Sequence, residues 1–112
     1  IEIIPPSDLK TYDFAAKYER DDTRFVIDPC LPKNNCREMA LKLYKCMGVR
    51  DIARVDFLID NDGEWLLEIN TMPGFTNHSL LPMAAEHAGF GMVELCAGLV
   101  EAASIRTSSP RV

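Results

Sequence analysis

"ARVDFLIDNDGEWLLEIN", residues 53–70, decides how this chain is read. Residues 53–59 alternate between polar and apolar types, and Asp62–Gly63 is a strong hairpin signal. Asn61, Asp62 and Gly63 are taken as a three-residue loop with Gly63 in the left-handed position. Asp60 then faces Glu64, Leu58 faces Leu66, Asp56 faces Glu68, and Arg54 faces Asn70. The odd-numbered face carries Val55, Phe57, Ile59, Trp65, Leu67 and Ile69, an apolar surface to bury. A one-residue slip would expose these side chains, so the pattern selects this register.

The other face gathers Arg54, Asp56, Glu68 and Asn70. Two carboxylates opposed across strands repel by roughly a few tenths of a kcal/mol unless solvent or a cation relieves them. Residue types alone leave two readings open. The acids are simply solvated, with Arg54 neutralising Asp56 in a structural ion pair. Alternatively they hold a divalent cation, with Asn70 as a third oxygen donor. All-oxygen sets suit Mg²⁺, which keeps positions for water and phosphate.

Outward from the hairpin, "MPGFTNHS" reads as a loop shaped by Pro73 and Gly74. Residues 79–88 suit a short helix with Pro82 in its first turn. A further helix is expected from Met92 to Ala103, with Cys96, Leu99, Val100 and Ala103 on one side, followed by a polar tail that frays. On the N-terminal side, a helix from Asn34 to Met47 repeats Cys36, Met39, Ala40, Leu43 and Met47 at helical spacing. Arg37, Lys42 and Lys45 are left to solvent, and Gly48 caps the end. "RFVID" and residues 1–4 read as strands, the latter stopped by Pro5 and Pro6. Residues 7–24 are polar around "YDFAAKY" and suit a fixed loop or short helix.

The 112 residues allow one domain with one modest core. A composition 47% hydrophobic and 26% charged excludes global disorder. Seventeen acidic residues against twelve Lys and Arg give a charge of -5. With no basic run, neither nucleic acid nor a membrane surface is an expected partner. Cys30, Cys36, Cys46 and Cys96 form no CxxC pair and read as reduced thiols. No apolar run is long enough to span a bilayer and no leader is visible, so the cytoplasm is the expected compartment. The start on "IEIIPP" reads as a processed chain or a piece of a larger one.

RVD, LLEIN, NTMPG and HSL occur in this order within residues 53–89. Together they resemble the C-terminal catalytic segment of D-alanine–D-alanine ligases, members of the ATP-grasp superfamily. "TYDFAAKY" is similar to the active-site loop of that family, apart from Ala15, where an acidic residue is frequent. The resemblance implies an α+β fold, the C-terminal portion of an ATP-grasp fold, with an antiparallel sheet and flanking helices. Residues 1–105 would be a partial catalytic domain and 106–112 a tail, with the N-terminal and central ligase regions absent.

The implied reaction joins two D-alanines at the expense of ATP, with two Mg²⁺ ions or Mn²⁺ in their place. The implied metal ligands are Asp56, Glu68 (bridging both ions) and Asn70. Arg54 and the Gly74 N–H would stabilise the developing oxyanion. Ser79 and the Leu80 backbone would hold the second D-alanine's carboxylate. Lys17 would contact phosphate and substrate, and Tyr18 would close over the second D-alanine. Leu58 would pack against adenine. His78 is not required by the family pattern. The remainder of the ligase chain and a homodimer are the implied protein partners. Another ATP-grasp carboxylate–amine ligase, or a noncatalytic nucleotide- or metal-binding module, is the competing reading.

Overall fold

Prolines and a hairpin turn bound the strands, and glycines follow the first two helices. The computed structural model of the chain describes residues 1–8, 22–29 and 35–108. These fall into two units, Ile1–Leu31 and Pro32–Val112.

In the first unit, β1 (Glu2–Ile4) pairs antiparallel with β2 (Arg24–Val26), and Ile3 lies opposite Phe25. Pro5 and Pro6 follow β1 directly, where the missing N–H groups end the ladder. The expected loop around Lys17 and Tyr18, with Ala15, lies outside the described residues.

The second unit begins with α1 (Cys36–Cys46). Cys36, Met39, Ala40 and Leu43 are half-buried, whereas Arg37, Lys42 and Lys45 are exposed, as the helical spacing predicts. Met47 departs from that expectation: it is 62% exposed because the helix has already ended and Met47 is the C-cap. Gly48 adopts φ +63°. Its N–H donates to the Lys45 carbonyl, and the Val49 N–H donates to the Tyr44 carbonyl, both at 3.1 Å. This is the Schellman arrangement, which satisfies the last carbonyls of the helix and needs a left-handed residue.

Next come β3 (Arg54–Ile59) and β4 (Glu64–Asn70), paired antiparallel. After them, α2 (Leu80–His87) begins with Pro82 buried in its first turn, and α3 (Met92–Ser108) packs against α2. α3 runs past the expected end at Ala103. Arg106 in its last turn reaches Asp51, with Nη1 to Oδ1 at 2.6 Å. That pair anchors the C-terminal end, where a cation also suits the helix dipole. The inner line of α3 is Met92, Leu95, Leu99, Ala102 and Ala103, all half-buried. Cys96 and Val100, expected on that side, are exposed instead. α3 is apolar nearly all round, so its periodicity cannot choose a face; packing on α2 does.

The fold is thus α+β: among the described residues each unit holds a two-stranded antiparallel sheet, and the second also holds the three helices. Among the described residues no single helix is long and apolar enough to cross a membrane. Cys36, Cys46 and Cys96 are free thiols.

Candidate functional site

The site rests on the β3–β4 register. At its open end Arg54 faces Asn70, Val55 faces Ile69, and Asp56 faces Glu68, as the alternation predicts. Nearer the turn the register shifts by one: Phe57 faces Leu66, Leu58 faces Trp65, and Ile59 faces Glu64. The expected pairs Leu58–Leu66 and Asp60–Glu64 are therefore not formed. Leu67 is the extra residue, a β-bulge that restores the spacing before Glu68.

The cause lies in the turn. Its loop is Asp60–Gly63, one residue longer than expected, and Gly63 has no positive φ. The Asp60 carboxylate closes it, with Oδ1 accepting the Asp62 and Gly63 N–H groups at 2.9 Å each. Oδ2 accepts the Trp65 indole N–H at 3.1 Å. These bonds, Trp65 first and the two backbone N–H groups next, hold the Asp60 carboxyl below the usual carboxylate range.

Trp65 was expected in the apolar core, and the shift moves it. It stands opposite Leu58, on the face that Arg54 and Asp56 occupy by alternation. It is 53% exposed and Leu58 54%. The hydrophobic pattern could not reveal this, because Trp65, Leu66 and Leu67 are consecutive and any of them can fill an apolar position.

On the site face, Arg54 makes a two-pronged contact with Asp56. Nε donates to Oδ1 at 2.8 Å and Nη2 to Oδ2 at 2.9 Å. Nη2 also lies 3.4 Å from Glu68 Oε1. One guanidinium thereby bridges both carboxylates and relieves the repulsion across the strands. Arg54 and Asp56 are half-buried, whereas Glu68 is exposed. Asn70 Oδ1 accepts the Met72 N–H at 2.9 Å, which fixes the amide's orientation as the chain leaves β4.

The loop after β4 brings the next two predicted residues together. A Cβ built on Gly74 would lie 3.0 Å from Ser79 Oγ, so only glycine leaves that approach open. Ser79 is the N-cap of α2 with extended backbone, yet its hydroxyl makes no cap bond to the helix. It accepts the Thr76 N–H at 2.9 Å and shares a hydrogen bond with Thr76 Oγ1, also at 2.9 Å. The Ser79 N–H donates back to the Thr76 carbonyl at 2.9 Å. Thr76 is the partner that sequence reasoning missed; the Thr–x–x–Ser spacing was its signal. Leu80 opens α2, and the start of a helix presents N–H groups suited to an anion. His78 is exposed in the same loop.

Among the described residues no cluster of three or more His, Cys, Asp and Glu side chains forms a ready metal cage. The oxygen donors brought together are Asp56 and Glu68, with Asn70 one pair further along the same face. They form an open set suited to a hard cation that retains outside ligands.

The family described as "D-ala D-ala ligase C-terminus" matches residues 1–101. A D-alanine–D-alanine ligase of Bordetella petrii is 40% identical over 98% of this chain and 34% of its own length. D-alanine–D-alanine ligase B of Chromobacterium violaceum is 47% identical over 86% of this chain and 32% of its own. The crystal structure of the Bacillus anthracis D-alanine–D-alanine ligase complexed with ATP superposes with a TM-score of 0.66. It shares 28% identity and covers 80% of this chain and 32% of that one. The chain spans about a third of the length of the relatives it matches. It belongs to the D-alanine–D-alanine ligase family of the ATP-grasp superfamily and matches that family's C-terminal segment.

Proposed function

We propose that this chain supplies the metal- and oxyanion-binding half of an ATP-dependent D-alanine–D-alanine ligase, active in the full-length polypeptide. One observation carries the reading: Arg54 and Asp56 stand opposite Asn70 and Glu68 on a single hairpin face.

Asp56, Glu68 and Asn70 offer hard oxygen atoms that fit Mg²⁺ or Mn²⁺ and leave positions for phosphate and water. Two such ions, with Glu68 shared between them, would neutralise the β- and γ-phosphates of ATP and lower the barrier to phosphoryl transfer. The carboxylate of the first D-alanine attacks the γ-phosphorus, giving an acyl phosphate and ADP. The amine of the second D-alanine then attacks the acyl carbon, and inorganic phosphate leaves.

Each remaining residue serves that sequence. Arg54 and the Gly74 N–H stabilise the oxygen that gains negative charge when the amine adds. Ser79 and the Leu80 N–H hold the second D-alanine by its carboxylate, at the start of α2. Leu58 packs against the adenine. Lys17 and Tyr18 close the site and keep water from the acyl phosphate. Residues 1–105 form the partial catalytic domain in this reading, with 106–112 as its tail. The rest of the ligase chain completes the nucleotide clamp, and the full-length protein acts as a cytoplasmic homodimer supplying dipeptide for peptidoglycan.

The test is D-alanine-dependent phosphate release by the complete polypeptide, with the product identified by mass spectrometry. D-Alanyl-D-alanine should form, and D-lactate should be the poorer acceptor. ATP binding in magnesium without dipeptide formation would refute the ligase reading.

A further inference from the structure

A strained passage of backbone leads from α1 into β3. Asp51 adopts φ +66°, and across it the Ile52 N–H donates to the Arg50 carbonyl at 2.9 Å. A bond from one residue to the next but one, around a left-handed centre, is the rare and strained kind of γ-turn. Among the described residues of the second unit, Asp51 is the one non-glycine residue with a positive φ. Such a conformation persists where its surroundings hold it. Aspartate visits this region by bonding to nearby backbone, yet here Oδ1 accepts from Arg106 Nη1 at 2.6 Å, 55 residues away in the last turn of α3. The Asp51 side chain is 24% exposed, so solvent screens the pair only in part. Arg106 also lies beyond residues 1–101, the part that the family model matches.

β3 opens three residues after Asp51, and its first residue is Arg54. Three residues of chain span only about 10 Å, so a shift at the turn passes to the start of the strand with little slack. We propose that Asp51 and Arg106 are positioning residues: their bond pins the strained turn to the end of α3 and thereby sets where Arg54 enters β3. The inference rests on reading Arg54 as the arginine that stabilises the developing oxyanion, and it adds the pair that aims it. As a source of stability a part-exposed ion pair counts for little. As a source of geometry it counts for more, because a reacting group misplaced by about 1 Å loses about a hundredfold in rate. The contact runs through a single nitrogen, so a lysine ammonium can stand in for the guanidinium at 106.

The experiment follows amide hydrogen exchange by mass spectrometry and steady-state dipeptide synthesis, on the complete polypeptide carrying residues 1–112. In Arg106→Gln the peptide covering residues 50–57 should exchange about tenfold faster. Residues 60–66 should keep the parent's rate, because Asp60 still closes the hairpin loop. kcat should fall about tenfold with the KM for ATP within about twofold of the parent's, since Arg54 acts on the oxyanion and not on the nucleotide. Arg106→Lys should restore both exchange and kcat. Asp51→Gly takes a positive φ without strain and removes the carboxylate, so it should fold and lose kcat to the same extent. Unchanged exchange at residues 50–57 overturns the proposal, as does a parent-like kcat in Arg106→Gln or Asp51→Gly, or a loss that Arg106→Lys does not restore. If Arg106→Gln does not fold, Asp51→Gly decides on the same readouts. If the parent forms no dipeptide, the ligase reading fails by itself, and the exchange at residues 50–57 alone decides whether the pair holds the start of β3.

Discussion

Gly74→Ala tests the joint between the two loop residues most directly. The new Cβ would sit 3.0 Å from Ser79 Oγ, where ordinary contact begins at 3.4 Å, so the hydroxyl must give way by some 0.4 Å. That hydroxyl holds Thr76 through two hydrogen bonds of 2.9 Å. A bond of this kind contributes about 0.5–1.5 kcal/mol, so disturbing both should cost roughly 1–2 kcal/mol. The backbone adds no strain, since Gly74 is not in the left-handed region.

In a Ser79→Ala background the obstacle is gone, and the nearest remaining atom is the residue 79 Cβ at an ordinary 3.6 Å. There Gly74→Ala should be neutral, or stabilising by about 0.4–1 kcal/mol through the unfolded chain. Urea unfolding of parent, both single variants and the double variant gives the coupling energy. With destabilisation counted positive, the double variant should fall short of the sum of the two single variants by about 1–2 kcal/mol, a negative coupling. A coupling smaller in size than about 0.5 kcal/mol would refute the claim that the Ser79 hydroxyl is what requires glycine at 74. Under the proposed function Gly74→Ala should also slow dipeptide synthesis, because its N–H and Ser79 act on neighbouring parts of the substrate.

Glu68→Gln in the complete polypeptide should reduce turnover by at least a hundredfold at saturating ATP and magnesium, and near-normal kcat would remove its bridging role. Asp60 contributes to hairpin stability with a definite pH signature. Its folded pKa lies below the ordinary value of about 3.9, so the contribution is complete above that pH and fades as pH falls through the folded value. The fluorescence of Trp65, the single tryptophan, should report a change below about pH 4 that Asp60→Asn abolishes; identical acid titrations would count against the indole contact. Gly48→Ala meets no atom within 4 Å but must adopt φ +63°, so it should cost about 1–2 kcal/mol in denaturant unfolding from backbone strain alone. Burial, and then the Glu64 carboxylate, push the Cys36 thiol up. It should therefore react with a thiol reagent at pH 8 more slowly than exposed Cys46 or Cys96, and Glu64→Gln should speed it; an unchanged rate would contradict the Glu64 influence.

The residues 53–70 determine a great deal by themselves. Alternation, the Asp62–Gly63 signal and the need to hide Val55, Phe57 and Ile69 set Arg54 against Asn70 and Asp56 against Glu68, because side chains in a strand repeat every two residues. The helices are legible for the same local reasons: Gly48 follows the last turn of α1, and Pro82 is tolerated in the first turn of α2. Tertiary structure decided the rest. The Asp60 carboxylate lengthened the turn, the Leu67 bulge absorbed the odd residue, and Trp65 moved to the face of the site. Three consecutive large apolar residues make either register acceptable to a pattern, so only hydrogen bonds in the turn could choose between them. Likewise, the inner side of α3 was set by α2, and the junction of Gly74 with Ser79 by a loop closure that no periodicity encodes.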